Sequence, residues 1–179
     1  MAAPATHTKF VKFSGGKYRR YPVTASADIR RGDLLKIASG KVDQLLTKAA
    51  VSSATVSGGN ATIWGIAEED FTADANGVSS DGQSRTTIGV RVVDDSFEIE
   101  LRGYNATATD CQQQDFAIGT AYLIQRWTDA NGNWWYEVNT TTTNAELMKT
   151  AQSLNSNATD NYGISIFKPV LSATVRQAQ

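Results

Sequence analysis

The run TTIGVRVVDDSFEIELR occupies residues 86–102, and its reading decides the fold class. Ile88, Val90 and Val92 alternate with Gly89, Arg91 and Val93. Beyond Asp94-Asp95-Ser96, Phe97, Ile99 and Leu101 alternate with Glu98, Glu100 and Arg102. Period-two alternation puts apolar side chains on one face of a strand and polar ones on the other. On a helix, residues two apart point in different directions, so Phe97, Ile99 and Leu101 would share no face. Asp-Asp-Ser supplies turn residues, and the run is therefore predicted to be a β-hairpin.

The same grammar extends in both directions. Asp28 to Ile37 and Lys41 to Leu45 flank Ser39-Gly40, a second predicted hairpin. Thr62 to Phe71 is a further strand, in which Gly65 signals close backbone approach or a bulge. Ala121 to Trp127 and Trp134 to Val138 flank an Asn131-Gly132 loop, a third hairpin. Ile164 and Ile166 alternate in the last strand, which Pro169 ends. One short helix is predicted over residues 144–151, with Asn144 as cap, Glu146 in its first turn and Lys149 near its end. The polar loop 72–86, built on Asn76-Gly77 and Asp81-Gly82, is long enough to be a contact loop that orders on assembly. The expected fold is all-β: one small β-barrel domain over residues 25–179, preceded by an extended arm over residues 1–24.

Composition narrows the function classes. The chain has 179 residues and a formal net charge of −1, so it lacks the basic footprint of a nucleic-acid or anionic-membrane binder. No apolar run approaches the roughly 20 residues that span a bilayer. The first residues lack the charged-then-apolar order of a signal peptide. Cys111, the single cysteine, has no partner for an internal disulfide. Both features lead us to expect a protein made in a reducing cytosol, or assembled there into something larger. In that setting the Asn-x-Thr triplets at Asn60, Asn105, Asn139 and Asn157 reflect loop composition rather than glycosylation.

Catalytic constellations are hard to find. His7, the one histidine, has no ligand-spaced neighbour for a metal, and Cys111 has no histidine partner in ordered sequence. Glu98 and Glu100 share a strand face about 7 Å apart, a spacing a glycosidase pair can use. They also fit the wet face of an amphipathic strand. Glu68, Glu69 and Asp70 are adjacent, so on a strand they diverge. Arg31-Gly32-Asp33 matches an adhesion tripeptide, but here it opens a strand as turn chemistry does. No enzyme activity, cofactor or metal is expected.

Binding residues are easier to name. In the arm, Lys9, Lys12, Lys17, Arg19 and Arg20 interleave with Phe10, Phe13, Tyr18 and Tyr21, and Gly15-Gly16 makes a joint. Aromatics with cations suit nucleic acid, an acidic protein partner or an exposed strand edge. Five charges are few for nucleic acid. Trp127, Trp134, Trp135 and Tyr136 cluster at the third hairpin, either as core filling or as a platform for sugars or protein.

The order of pieces also carries a resemblance. A basic arm is followed by Ile29-Arg30-Arg31-Gly32-Asp33-Leu34-Leu35-Lys36-Ile37, Ser39-Gly40-Lys41-Val42, Trp64-Gly65-Ile66-Ala67-Glu68-Glu69-Asp70 and Ile88-Gly89-Val90-Arg91-Val92 with Phe97-Glu98-Ile99-Glu100. The second half adds Ile118-Gly119-Thr120-Ala121-Tyr122-Leu123, Asn131 to Asn139, and Asn161-Tyr162-Gly163-Ile164-Ser165-Ile166-Phe167. Across roughly residues 28–170 this resembles the head decoration, or capsid cement, proteins of tailed bacteriophages. The resemblance implies a β-tulip-like barrel that forms a homotrimer on the capsid exterior and binds the major capsid protein. It implies no catalytic residues. Shell contact is then expected from Lys9, Phe10, Lys12, Phe13, Lys17, Tyr18, Arg19 and Arg20, and subunit packing from Trp127 and Trp134. The alternatives are a tail or baseplate component, and a carbohydrate-binding module using Trp127, Trp134 and Trp135.

Overall fold

The computed structural model describes residues 12–45, 54–55, 63–104, 112–128, 134–140, 147–153 and 163–170. Their strands are β1 Lys12–Ser14, β2 Lys17–Pro22, β3 Asp28–Ile29, β4 Leu34–Ala38, β5 Lys41–Gln44, β6 Ala54–Thr55 and β7 Gly65–Ala67. They continue with β8 Phe71–Thr72, β9 Thr87–Val92, β10 Glu98–Tyr104, β11 Ala121–Thr128, β12 Trp134–Asn139, β13 Leu147–Gln152 and β14 Ile164–Pro169. The protein is mainly β, as the alternation predicts.

The deciding run is two strands, but they are not a hairpin. β9 pairs antiparallel with β2 on one side and β7 on the other. β10 pairs with β1, β12 and β14. Asp94 does close a turn, accepting hydrogen bonds from the Ser96 N–H at 2.9 Å and, through its backbone carbonyl, from the Phe97 N–H at 3.0 Å. Alternation states which face of a strand is buried; it does not state the partner. Contacts divide the described strands into two units: β2–β5 with β7–β9, and β1 and β6 with β10–β14. β9 belongs to the first and β10 to the second.

In the first unit the sheet runs β2-β9-β7-β4-β5, and its ends meet. A parallel bridge joins Val23 to Val42, and the Thr24 N–H donates to the Val42 carbonyl at 3.0 Å. The buried face gathers Val23, Ile29, Leu35, Val42, Trp64, Phe71, Ile88, Val90 and Val92. The β4–β5 hairpin is as expected, with Leu35 opposite Gln44 and Ala38 opposite Lys41. Its Ser39-Gly40 turn takes φ of 51° and 75°, the left-handed pair that a two-residue hairpin requires. Gly65 is the close approach its sequence position suggests: a Cβ there would lie 2.6 Å from the Arg91 carbonyl oxygen.

The second unit is a closed five-stranded barrel. Pairings run β10-β12-β11-β13-β14 and back to β10, with β10–β12 parallel and the rest antiparallel. β1 adds to β10 and β6 to β11. Ile99, Leu101, Ile124, Tyr136, Val138, Leu147 and Phe167 are all buried. The β11–β12 hairpin is present as expected, with Trp127 opposite Trp135.

Of the stretch read as an arm, Lys12–Ser14 and Lys17–Pro22 are strands in two different sheets, while residues 1–11 lie outside the described residues. The helix expected over residues 144–151 is corrected: Leu147–Gln152 is β13, paired with β11 and β14. Leu147 and Lys149 are buried and Met148 is exposed, which is period two. The cap and dipole signals are local, and pairing on both edges outweighs them. Among the described residues the helical element is a 3-10 turn at Gln113–Asp115. Lys149 holds it, donating to the carbonyls of Gln113 at 2.5 Å and Phe116 at 2.7 Å. Burial pulls the Lys149 ammonium below its usual range, opposed by the charge of Asp115.

Candidate docking surface

β2 gathers four of the named binding residues. Lys17, Tyr18, Arg19 and Arg20 are all exposed, and Tyr18 is 54% accessible although it sits on a sheet. Its ring lies over Gly89 of β9: a Cβ on Gly89 would be 2.5 Å from the Tyr18 hydroxyl and 2.8 Å from its ring. Glycine is what lets the aromatic ring lie flat on the neighbouring strand.

Arg20 fixes the same, hydroxyl end of that ring. Its Nη1 donates to the Tyr18 hydroxyl at 3.2 Å, its Nε to Thr87 Oγ1 at 3.1 Å and its Nη2 to the Thr87 carbonyl at 2.8 Å. Nη2 also pairs with Glu69 Oε1 at 3.0 Å. Glu69 is shared, since Arg85 Nη1 reaches its Oε2 at 2.8 Å and the Gly89 N–H donates to its Oε1 at 2.7 Å. Arg85 in turn binds Asp81 and lies 5.4 Å over the Phe71 ring. Exposed pairs of this kind add little stability singly, but here they set the orientation of one arginine and one tyrosine. Arg19 has no ion-pair partner among the described residues. Lys17 adds a favourable charge to Asp94, whose carboxyl is held low chiefly by the Ser96 hydroxyl.

Gly15 and Gly16 have φ of 72° and 75°, and a Cβ on Gly15 would lie 2.1 Å from the Ser96 carbonyl oxygen. The Gly16 N–H donates to Ser96 Oγ at 3.3 Å.

The remaining candidates scatter. Lys9 and Phe10 lie outside the described residues, and of Lys12 only the backbone, opposite Glu100, is described. Phe13 is half-buried opposite Ile99; with Ser14, Glu98, Glu100 and Ile166 it lines a cleft of about 120 Å³. There Lys168 Nζ sits 3.6 Å from Glu98, and the Ser153 hydroxyl donates to Glu100 at 3.0 Å. Trp127 and Trp134 are placed by register only, opposite Trp135 and Thr128. Trp135 and Tyr136 are buried, and the Trp135 Nε1–H donates to Glu137 at 3.0 Å, so neither offers a sugar platform.

Other motifs settle as structure. Asp33 is fully buried and accepts hydrogen bonds from the Arg30 N–H and Gln44 Nε2, both at 2.7 Å, so the Arg-Gly-Asp triplet is not displayed. Glu68 pairs with Arg91 at 2.7 Å, Glu69 with Arg20 and Arg85, and Asp70 accepts the Arg31 N–H at 2.6 Å. Adjacent in sequence, the three carboxylates diverge in space. Loop 72–86 is held by its own side chains: Asp74 Oδ1 accepts the N–H groups of Asn76 at 2.8 Å and Val78 at 2.9 Å.

The seat of Tyr18 on Gly89 went unnoticed in the sequence. A glycine among the polar positions of an alternating strand is the available signal. No family model matches the chain, and no curated protein or solved structure matches it either.

Proposed function

We propose that this chain is a head decoration protein of a tailed bacteriophage. It is made in the host cytoplasm, assembles as a homotrimer and binds the major capsid protein on the outside of the assembled shell. The observation that carries this reading is the preformed Tyr18–Arg19–Arg20 surface of β2. Tyrosine and arginine are the residue types that dominate binding energy at protein interfaces. Here they stand on a rigid strand with Tyr18 already seated, so little ordering cost falls on this side of the contact. Lys9, Phe10, Lys12 and Phe13 would extend the contact, and Trp127 and Trp134 would serve subunit packing. A protein that binds only the assembled shell stabilises it by mass action. The β-barrel fold and the order of sequence motifs support the same reading.

Co-sedimentation with emptied heads tests it. Saturable binding is expected, with Tyr18→Ala weakening it at least about tenfold, near 1.4 kcal/mol. Light scattering should give a mass near three times 19.3 kDa. A monomer that ignores heads would overturn the proposal. Rings or tubes formed without heads would move it to the tail, and glycan binding lost on Trp134→Ala would move it to carbohydrate recognition.

A further inference from the structure

Among the described residues β2 is paired along its length on one side only. Over Lys17–Pro22 its hydrogen-bonded partner is β9, and on the other side the described contact begins at the Val23–Val42 bridge. That bridge is parallel. Followed back along both strands, it sets Lys17–Pro22 beside the Ser39-Gly40 turn and the residues before it, where the chain has already folded into β4. The β4–β5 hairpin is therefore too short to cover the edge. β2 and β5 approach at the Tyr21–Pro22 end, so the four residues Lys17 to Arg20, at a rise of about 3.3 Å, leave an open edge of roughly 13 Å. An unpaired strand edge is a template for an incoming strand.

The side chains choose the occupant. Lys17, Arg19 and Arg20 are exposed along this edge, with no acid among the six residues Lys17–Pro22. A second copy laid against the same edge would oppose like charges, which destabilises cross-strand pairs. Glu69 offsets Arg20 but is shared with Arg85, and Arg19 has no such partner among the described residues.

We infer that the open edge of β2 accepts an extended acidic segment of a partner protein as an added strand. The inference rests on the decoration reading for the partner's identity, though not for the site itself. Main-chain hydrogen bonds supply the pairing, and Arg19 and Lys17 select carboxylates on alternate positions of the incoming strand.

Amide exchange on the whole protein tests it, with two short synthetic peptides as probes. One alternates Glu with Thr and Val; the other has Lys in place of each Glu. The acidic peptide should slow alternate amides between Lys17 and Tyr21 and leave the rest of the sheet unchanged. Arg19→Glu should weaken it by about tenfold or more, as charge reversal at a contact does. Equal binding of both peptides, or no protection of β2 at saturation, would overturn the inference in favour of cations that merely guard an edge. Outward amides already protected in the free protein would overturn it too, because the edge would then be occupied by this chain. Heads bound with β2 amides still unprotected would sink the inference and leave the decoration reading standing. Peptide bound but heads ignored would do the reverse.

Discussion

Two glycines of one sheet separate what a hydrogen atom does at each position. Gly65 and Gly89 both face contacts below 3.0 Å if a Cβ is added. At Gly65 the obstacle is the Arg91 carbonyl, part of the ladder itself, which cannot give way. Gly65→Ala should cost about 2 kcal/mol in urea denaturation, within the range for overpacking. At Gly89 the obstacle is the free end of Tyr18. Gly89→Ala should leave the denaturation midpoint nearly unchanged while lifting Tyr18 off the sheet, visible as a change in tyrosine fluorescence and weaker head binding. Asp81 offers a titration. Its carboxyl is lowered from 3.8 to about 2, first by the Ser79 hydroxyl, then by the Gln83 N–H and Arg85. A depressed carboxyl contributes fully above its unfolded value and loses that contribution as pH falls through the folded one. Loop amides around Gln83 should therefore keep their protection above pH 3.8 and lose it toward pH 2. Asp81→Asn should abolish that dependence.

Among elements, the legible ones were those whose pairing is local. Ser39-Gly40 announces β4–β5, and Asn131-Gly132 announces β11–β12, because turn chemistry and both strands fall within one short window. β9 and β10 were legible as strands and illegible as partners. Each takes neighbours from far along the chain, and no residue in the run 86–102 encodes them. The docking surface was half legible: residue types and positions were in the sequence, while the tethering of Arg20 by Glu69 and Thr87 needed the fold. β13 misread as a helix because Asn144, Glu146 and Lys149 look like a capped turn. Lys149 instead reaches inward to the carbonyls of Gln113 and Phe116. Lys149→Met should lower stability by about 2 kcal/mol, the scale for buried acceptors left without a donor. Hydrogen exchange should show the loss concentrated at residues 113–116.

At the scale of the molecule, neither unit is one continuous stretch. β1 belongs with β10–β14, β2–β5 with β7–β9, and β6 again with β10–β14. A fragment spanning residues 98–170 lacks β1 and β6 and leaves the β10 and β11 edges they cover bare. Expressed alone, it should aggregate or stay poorly ordered by circular dichroism, and a fragment covering residues 1–97 should restore it. The same threading sets a timetable during synthesis. A ribosome delivers β2 some seconds before β9, at about 5–20 residues per second. The first ring can close once Val92 has emerged, whereas the second waits for Ile164–Pro169. β1 finds its partner once Glu98–Tyr104 has emerged, but the ring that pair belongs to stays open until β14 arrives, so a strand made early is among the last to be enclosed.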